Sequence, residues 1–328
     1  MTALTQLKLA GTGSFRLASS KLFDFGVNAQ NCDKSVLDIV CAPPGWSIVQ
    51  VDQAGAEALV VAYLARPGRY RNLFLNGVKA HTYVALQLFL DKFRGEHPRE
   101  RYWLVDPAVL KQYPEFKKLS DIIKFSKFEY DIGKRTGHAS NYRMGPNTFR
   151  EQCLKESEGT LILDVEQARY FLDTYKQLFP EIVEWQNEIE AQIRSTRTLR
   201  NLFGFPRRFE RHITDGYIRE AISWIPQSTV GCITHRAYRE VFDFAAVRGR
   251  VWRLFNNKHD SFAMLVPDGD VREAVHCMSR ALNQELVGRD GEVFRMKSEV
   301  QVGKNWGKFD PKHPELNPLG MQDYVLTE

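Results

Sequence analysis

The order of hydrophobic and polar positions predicts a chain in which strands pass directly into helices. The run "WSIVQVD", residues 46–52, is apolar and ends in Asp52, and Ala and Leu then recur at helical spacing in "QAGAEALVVAYLAR". This change of period predicts a strand followed by a helix. Two more runs of β-forming residues, "VWRLFNN" and "SFAMLV", flank a short polar junction that contains His259 and Asp260. Asp52 and Asp260 are therefore both predicted to lie at strand ends.

Helical periodicity governs the middle of the chain. Residues 78–127 have a mostly helical pattern that is rich in Lys and Arg and is broken by prolines. The segment "DVEQARYFLDTYKQLFPEIVEWQNEIEAQIRS" predicts two helices divided near Pro180, the first capped by Asp164. The segment "TLRNLFGFPRRFER" predicts a hairpin with Gly204 in its turn. The Pro-rich segment after Trp306 predicts irregular structure.

Composition narrows the class of protein. The 328 residues are 43% hydrophobic, enough for a sizeable core, and Lys plus Arg exceed Asp plus Glu by 45 to 40, a mildly basic balance compatible with a polyanionic partner. Neither a secretory leader nor an apolar run of about 20 residues is present, so we expect no membrane association and a cytoplasmic location. The five cysteines are scattered without a CxxC pair, which predicts core thiols rather than a zinc cluster or disulfide framework: Cys32, Cys41, Cys153, Cys232 and Cys277.

The two aspartates at strand ends suggest a metal site. Neighbouring strands of a sheet lie only about 4.8 Å apart, so Asp52 and Asp260 would repel each other unless a cation joined them. Mg²⁺ prefers oxygen ligands, and a pair of such ions about 3.5–4 Å apart can assist phosphoryl transfer. The alternative, that each aspartate caps a neighbouring element, remains open from these two residues alone.

A second pattern could bind a nucleotide. In "DIGKRTGHASNYRMGP", Lys134, His138 and Tyr142 stand at i, i+4 and i+8, one helical stripe with two potential cations that could hold a triphosphate and a ring that could stack on a base. A solvated basic face ending in a core tyrosine is equally compatible with this spacing. Gly137 costs a helix about 1 kcal/mol, which predicts a close approach there.

A third pattern is a polar row in "REAISWIPQSTVG". Arg219, Ser223 and Gln227 recur at fourfold spacing, as expected for side chains that contact template or primer. Pro226 is expected to interrupt a helix at this point. The row alone is weak support for DNA binding.

In order along the chain, these segments resemble the polymerase domain of family A DNA polymerases, the bacterial DNA polymerase I type, in a divergent phage-like form. "TGSFRLASS" with "NAQN" resembles the TGR-LSS and NLQN segment of the family, and "VDQAGAEALVVAYLA" its first metal motif. "KRTGHASNY" resembles the nucleotide-binding fingers helix, "REAISWIPQSTVG" the QGTA-type helix, "KHDSFAML" the HDE motif and "VQVGKNWG" the closing strand. The resemblance runs from about Thr12 to Trp306.

The resemblance implies an α+β architecture, an antiparallel palm sheet with inserted helical fingers, in a right-hand fold lacking the thumb. The first part of the palm would span residues 1–72 and the fingers residues 73–149. Residues 150–306 would complete the palm and the remaining helical elements, and residues 307–328 would form an irregular tail.

The resemblance also implies the site residues. Asp52, Asp260 and the backbone carbonyl of Gln53 would bind two Mg²⁺ ions, for which Mn²⁺ can substitute, and Asp52, Asp260, Lys134 and His138 would be catalytic. Nucleotide binding would involve Gln53, Glu57, Lys134, Arg135, His138 and Tyr142, with Glu57 blocking the ribose 2′-hydroxyl. DNA binding would involve Arg16, Asn28, Gln30, Arg219, Ser223, Gln227 and His259.

Four positions depart from the bacterial pattern. His138 replaces a phosphate-contacting lysine, and a neutral imidazole is common near pH 7. Tyr142 replaces a phenylalanine, and Ser261 replaces the acidic residue after the catalytic aspartate. Pro146 replaces a tyrosine, which predicts a change at the end of the fingers helix.

The implied partners are primer-template DNA, deoxynucleoside triphosphates and a separate polypeptide carrying a thumb or exonuclease, with a shortened chain as the other explanation for the missing thumb. One alternative function is a catalytically weak or inactive DNA-binding polymerase-like subunit. Another is a single-subunit RNA polymerase, which Glu57 disfavours. The basic segment 92–127 would either hold single-stranded template, with Tyr102 or Trp103 stacking on bases, or form a solvated surface.

Overall fold

A five-stranded antiparallel sheet forms the centre of the protein. The structure is a computed structural model that describes residues 5–8, 12–15, 18–21, 30 and 32–325. The strands of the sheet are β3 (Trp46–Gln53), β6 (Arg253–Lys258), β7 (Ser261–Pro267), β10 (Ser298–Gly303) and β11 (Gln322–Asp323). Their order is β11-β10-β3-β7-β6, with β3 in the middle.

Three two-stranded antiparallel ribbons accompany the sheet. They pair β1 (Thr5–Lys8) with β2 (Ala18–Lys21), β4 (Thr198–Arg200) with β5 (Pro206–Arg208), and β8 (Glu285–Val287) with β9 (Val293–Arg295). The β4–β5 ribbon is the predicted hairpin, and Gly204 in its turn has a φ of +80°, a conformation that favours glycine.

Helices supply most of the remaining structure. The first six are α1 (Ala56–Leu64), α2 (Arg69–Leu75), α3 (Ala80–Leu88), α4 (Leu90–Phe93), α5 (Pro107–Leu110) and α6 (Phe116–Phe125). The next six are α7 (Lys127–Asn141), α8 (Pro146–Glu156), α9 (Val165–Leu178), α10 (Pro180–Thr196), α11 (Asp215–Val247) and α12 (Val271–Leu282). The pair α9 and α10 divides at Pro180 as predicted, and Asp164 caps α9 in a capping box.

The two faces of β3 meet different surroundings. Val49 and Val51 belong to the main hydrophobic core, whereas Ile48 packs in a small cluster with Ala263 and Met321 on the opposite face. Because side chains alternate along a strand, Asp52 lies on the face of Ile48, away from the main core. Asp52 is half-buried on that face.

Helices α3 and α7 cross closely at a glycine that the sequence reasoning did not single out. A Cβ on Gly133 of α7 would stand 2.6 Å from the carbonyl oxygen of His81 on α3. At Gly137 the nearest atom would be a ring carbon of Tyr175 at 3.8 Å, an ordinary contact. The prediction that another part of the chain approaches Gly137 closely is therefore wrong. The close approach is between α3 and α7 at Gly133, one helical turn earlier.

Two expectations concern helix ends. Pro226 does not interrupt a helix, because it lies buried inside the 33-residue α11. The helix continues although Pro226 cannot donate a backbone hydrogen bond, and the neighbouring Trp224 and Ile225 are buried with it. The change expected near Pro146 relative to the bacterial helix stays a prediction; in this chain α7 ends at Asn141, and Pro146 starts α8 at a position where its missing N–H costs nothing.

Other expectations hold in part. The segment after Trp306 is mostly turns, but β11 pairs with β10 and extends the sheet, so it is not wholly irregular. Cys153, Cys232 and Cys277 are buried thiols, whereas Cys41 is exposed, so the expectation of a core thiol is wrong there. No helix in the described ranges is long and apolar enough to cross a membrane. The divisions at residues 72, 149 and 306 stay predictions.

Candidate active site

Asp52 and Asp260 lie side by side at one end of the sheet. Strands β3 and β7 are neighbours, and Asp52 stands directly opposite Ser261, the residue after Asp260. The backbone N–H of Gln53 donates to the carbonyl oxygen of Asp260 at 3.1 Å, which fixes the turn against β3. The predicted strand-end pair is thus present.

The turn between β6 and β7 has an unusual backbone. His259 has a φ of 54°, in the left-handed region that non-glycine residues seldom adopt. Its side chain is exposed. Strained turns of this kind persist where the surroundings enforce them, often at functional sites.

Electrostatics mark Asp52 as unusual. Burial, with the negative charges of Asp260 and Glu299, raises the pKa of Asp52 to about 7, and nearby Lys258 opposes the shift. Without a cation, the site therefore favours a protonated Asp52 near neutral pH. A divalent ion would relieve this repulsion.

Glu299 is an acidic neighbour that the sequence reasoning missed. It lies directly opposite Asp52 across the β10–β3 pair, so both side chains leave the same face of the sheet. Ser261, which replaces an acidic residue, lies opposite Asp52 on the other side and is buried. The alternation of polar and apolar residues in "SEVQV" could have predicted a strand containing Glu299. It could not have shown that this strand pairs with β3.

Thr234 of α11 supports this end of the sheet and was also missed. Its hydroxyl accepts from Nε2 of Gln53 at 2.7 Å and lies 3.0 Å from the carbonyl oxygen of His259, to which it can donate. One side chain therefore connects the helix to both strand ends. The Gln53 amide points toward α11, which leaves its backbone, not its side chain, as the group suited to a metal.

The donor set fits Mg²⁺ without forming a complete cage. Within residues 32–325 and the shorter described stretches, no group of three His, Cys, Asp or Glu side chains is close enough to hold a metal ion. Mg²⁺ commonly binds through one or two carboxylates, several waters and substrate phosphates. Asp52 and Asp260 match that requirement.

The α7 stripe has two exposed side chains and a buried tyrosine just beyond the helix end, which is compatible both with a nucleotide site and with a basic face that ends in a core tyrosine. Lys134 and His138 are exposed, and the buried Tyr142 donates a hydrogen bond from its hydroxyl to Glu57 at the start of α1. The His138 ring stands edge-on to Tyr142, with centroids 5.2 Å apart. Eight residues of helix span about 12 Å, so the stripe runs outward from Glu57 over roughly the length of a triphosphate.

His81 of α3 joins this stripe and was missed by the sequence reasoning. Burial, with the positive charges of Lys134, Lys79 and His138, lowers the pKa of His81 to about 4. Its ring also lies edge-on to Tyr130, with centroids 6.0 Å apart. Only the crossing of α3 over α7 unites these residues, so no local pattern could reveal them.

Other predicted site residues are not united with these groups. Arg135 pairs with Glu156 on α8, on a different face from Lys134. The Gln30 side chain is buried: Oε1 accepts from the Ser19 N–H, and Nε2 donates to the carbonyl oxygen of Asn257 at 2.6 Å. The structure therefore gives Gln30 a bridging position rather than an exposed one.

Two predicted DNA-binding residues, Arg16 and Asn28, lie outside the described residues. Nothing further is assigned to them from the structure.

The polar row on α11 lies beside the segment before β2. Arg219 is exposed, and Ser223 and Gln227 are half-buried on the same helical face. Between them, the indole N–H of Trp224 donates to the carbonyl oxygen of Gly13 at 2.7 Å. The structure thus brings two of the quoted motifs, which lie some 200 residues apart in the sequence, into contact.

Known proteins similar to this chain are DNA polymerases. No family model matches the chain. The DNA polymerase of Escherichia phage T5 is 24% identical over 318 residues, covering 89% of this chain and 35% of the relative. Thermostable DNA polymerase I from Thermus filiformis is 22% identical over 81% of this chain, and that from Thermus aquaticus is 21% identical over 81%.

These relatives extend well beyond the matched region, because the chain spans 27–35% of their length. A solved structure, the POL domain of Pol1 from M. smegmatis in complex with DNA primer-template and dNTP, matches 92% of this chain and 47% of its own, with a TM-score of 0.68 and 17% identity. This match supports the right-hand polymerase fold. The chain is similar in sequence to these DNA polymerases and has the fold of that polymerase domain.

Proposed function

We propose that this chain is the core of a template-directed DNA polymerase, which extends a primer with deoxynucleotides. The observation that carries the proposal is that Asp52 and Asp260 lie at adjacent ends of β3 and β7, with Glu57 of the following helix hydrogen-bonded to Tyr142. The relatives are named DNA polymerases, and the related POL domain binds primer-template and dNTP. The reaction is attack of a primer 3′-hydroxyl on the α-phosphorus, with release of pyrophosphate.

The proposed metal ligands are Asp52, Asp260 and the carbonyl oxygen of Gln53. Two bound Mg²⁺ ions would supply charge neutralisation at the attacking and leaving oxygens. The exposed side chains of Lys134 and His138 would bind the triphosphate, with the neutral His81 beside them. Their contribution is positioning, which is the larger part of catalysis in phosphoryl transfer.

Glu57 would exclude ribonucleotides. Its carboxylate accepts from Tyr142 and occupies the start of α1, next to the strand that ends in Asp52. A 2′-hydroxyl placed there would displace a charge-assisted hydrogen bond. This feature supports deoxynucleotides over the alternative of an RNA polymerase.

DNA contacts are proposed for His259 and for the row on α11. Arg219, Ser223 and Gln227 follow one face of a long helix, which suits a duplex lying along it. Contacts from Arg16, Asn28, Gln30 and Arg135 stay predictions. A separate polypeptide with a thumb or exonuclease also stays a prediction.

The test is primer extension on a recessed template with Mg²⁺ and four deoxynucleotides at low salt, which strengthens binding to phosphates. The intact chain should extend the primer, and Asp260→Ala should not. Asp243→Ala, which removes an exposed carboxylate of α11 paired with Arg239, serves as the matched control and should retain extension. Equal extension by Asp260→Ala would contradict the proposal.

The second candidate is a DNA-binding subunit with little catalysis. Ser261 in place of an acidic residue favours it, whereas Glu299 opposite Asp52 opposes it. A chain that binds primer-template but extends no primer, with or without Asp260, would support this candidate.

A further inference from the structure

The basic segment 92–127 separates into two halves with different roles. Its first cations are already engaged in ion pairs: Lys92 with Glu129, Arg94 and Arg99 with Asp91, and Arg101 with Glu115. Four later lysines have no ion-pair partner among the described residues: Lys117, Lys118, Lys124 and Lys127. Positive charge available to a partner is thus concentrated on α6 and the start of α7.

Apolar side chains are exposed among these lysines. Phe125 is 72% exposed, Ile122 49% and Phe128 43%. Helix α6 already buries its own core face through Phe116, Leu119 and Ile123, so the exposed residues are not part of that packing. We call the exposed lysines with Ile122, Phe125 and Phe128 the α6 patch.

A further cation approaches the patch from the C-terminal segment. The Lys312 ammonium lies 5.5 Å from the centroid of the Phe125 ring. An open groove runs along α6 past Lys117, Lys118 and Phe125. The Phe125 ring is therefore accessible, beside the Lys312 ammonium and in a groove that holds Lys117 and Lys118 together with one carboxylate, Asp121.

The aromatic residues considered from sequence are less available for stacking. Tyr102 is buried, and its hydroxyl hydrogen-bonds Glu115. Trp103 is half-buried and packs against the main core, with the Arg99 guanidinium 4.4 Å from the centroid of its ring, so it is less accessible than Phe125. In this segment, the aromatic ring best placed to stack on a base is therefore that of Phe125 in the α6 patch.

We propose that the α6 patch binds single-stranded DNA, with lysines on the phosphates and the Phe125 ring stacked on a base. Non-specific single-strand sites combine a basic groove with exposed aromatic rings in this way. A duplex conceals its base faces, and protein interfaces are depleted in Lys, so both fit the patch less well.

The position of the patch relates it to the proposed active site. Lys127 and Lys134 are seven residues apart on α7, so they share one helical face about 10 Å apart. A template strand leaving the nucleotide stripe would meet the patch next. The path of the template from the stripe to the patch rests on the proposed polymerase function. The binding of single-stranded DNA to the patch does not.

The test measures binding of a fluorescent single-stranded oligodeoxynucleotide to the full chain by anisotropy, over a series of salt concentrations. Phe125→Ala should weaken binding about tenfold, within the range of aromatic stacking on one base. Phe242→Ala, which removes another half-exposed phenylalanine, on α11, is the matched control and should leave binding within about twofold.

The charges are tested in the same assay. The measured quantity is the slope of log affinity against log salt concentration. In the double variant Lys117→Gln with Lys118→Gln, this slope should become less steep by about 0.7 for each phosphate that a lysine no longer neutralises. Lys155→Gln, an exposed lysine on α8, should not change it. Thermal melting of each variant confirms that the fold is retained.

Failure of this proposal is distinguishable from failure of the polymerase function. Extension on a template with a one-nucleotide overhang should be unchanged in Phe125→Ala. Loss of single-strand affinity in Phe125→Ala supports the patch even if the chain extends no primer. Single-strand binding that is undetectable at low salt, or equal in Phe125→Ala and Phe242→Ala, would overturn it and leave a protein partner as the occupant.

Discussion

Single residues at the end of β3 concentrate negative charge. Asp52 faces Ser261 on one side and Glu299 on the other, and Asp260 lies one residue farther along. The sequence alone predicted the two aspartates, because each follows or precedes a recognisable strand. Glu299 could not be predicted, because its proximity depends on the register of β10 against β3.

The pH dependence of stability follows from the raised pKa of Asp52. Its pKa is about 7 in the folded protein and about 3.9 when unfolded, so folding binds a proton more tightly. Ionisation therefore costs the folded state stability as pH rises from about 4 to 7, and the cost is constant above. In chelator, Asp52→Asn should be more stable than the parent above pH 7 by about 2 kcal/mol, with little difference near pH 4.

Denaturant unfolding at pH 4 and pH 8 measures this effect. Asp243→Asn is the control, because its carboxylate is exposed on α11. Added Mg²⁺ should reduce the advantage of Asp52→Asn, because only the parent retains both carboxylates. A gain from Asp52→Asn that is the same at both pH values would contradict the account.

At the scale of elements, local sequence signals predicted where helices begin and end, and tertiary contacts explain the predictions that failed. The capping box of Asp164 and the division at Pro180 lie within a few residues of sequence, and the structure confirms both. Pro226 was expected to break α11 because a local rule cannot include the packing around it. His81 and Thr234 were missed because their partners lie on other helices or strands.

The crossing of α3 and α7 gives a paired prediction from two glycines. Gly133→Ala should destabilise the protein by about 2 kcal/mol, since its Cβ would stand 2.6 Å from a backbone oxygen of α3. Gly137→Ala should instead be neutral or stabilise by up to about 1 kcal/mol, since space is available and alanine favours helix. Denaturant unfolding of both variants measures the difference, and equal effects would contradict the described crossing.

At the scale of the whole molecule, distant parts of the sequence are joined around one core. Arg71 of α2 is buried and pairs with Asp290 and Glu292 of the β8–β9 ribbon at 2.6 and 2.9 Å. Its guanidinium also donates to the carbonyl oxygens of Ala62 and Ala65. This one side chain connects the early helices to a ribbon more than 200 residues later, a connection that no sequence pattern could indicate.

Replacing Arg71 should be costly. Arg71→Met leaves two carboxylates and two carbonyl oxygens without their donor, and we expect a loss of about 3 kcal/mol in the free energy of unfolding. Arg66→Met, which removes exposed pairs with Glu184 and Glu188, should cost less than about 1 kcal/mol. Similar losses for both variants in denaturant unfolding would show that the buried pairing is not important.

The fold could be predicted to a large extent, and the site in part. A strand that ends in Asp52, the α7 stripe and the hairpin at Asp260 follow from period and turn chemistry. The bridging position of Gln30 and the pairing of Arg135 did not, because both depend on which distant residue is nearby. Sequence spacing therefore identified candidate residues. The tertiary contacts show which of them lie at the proposed site and which, like Gln30 and Arg135, are engaged by other parts of the chain.

The most direct test of the central claim is single-nucleotide incorporation on four templates that differ only in the templating base. The parent should add the complementary deoxynucleotide on each. Asp52→Asn should lower the single-turnover rate about 1000-fold, because several kcal/mol of charge stabilisation are lost, and Asp243→Asn should leave it unchanged. Incorporation that ignores the template, or that persists at the parental rate in Asp52→Asn, would contradict a polymerase site at this end of the sheet.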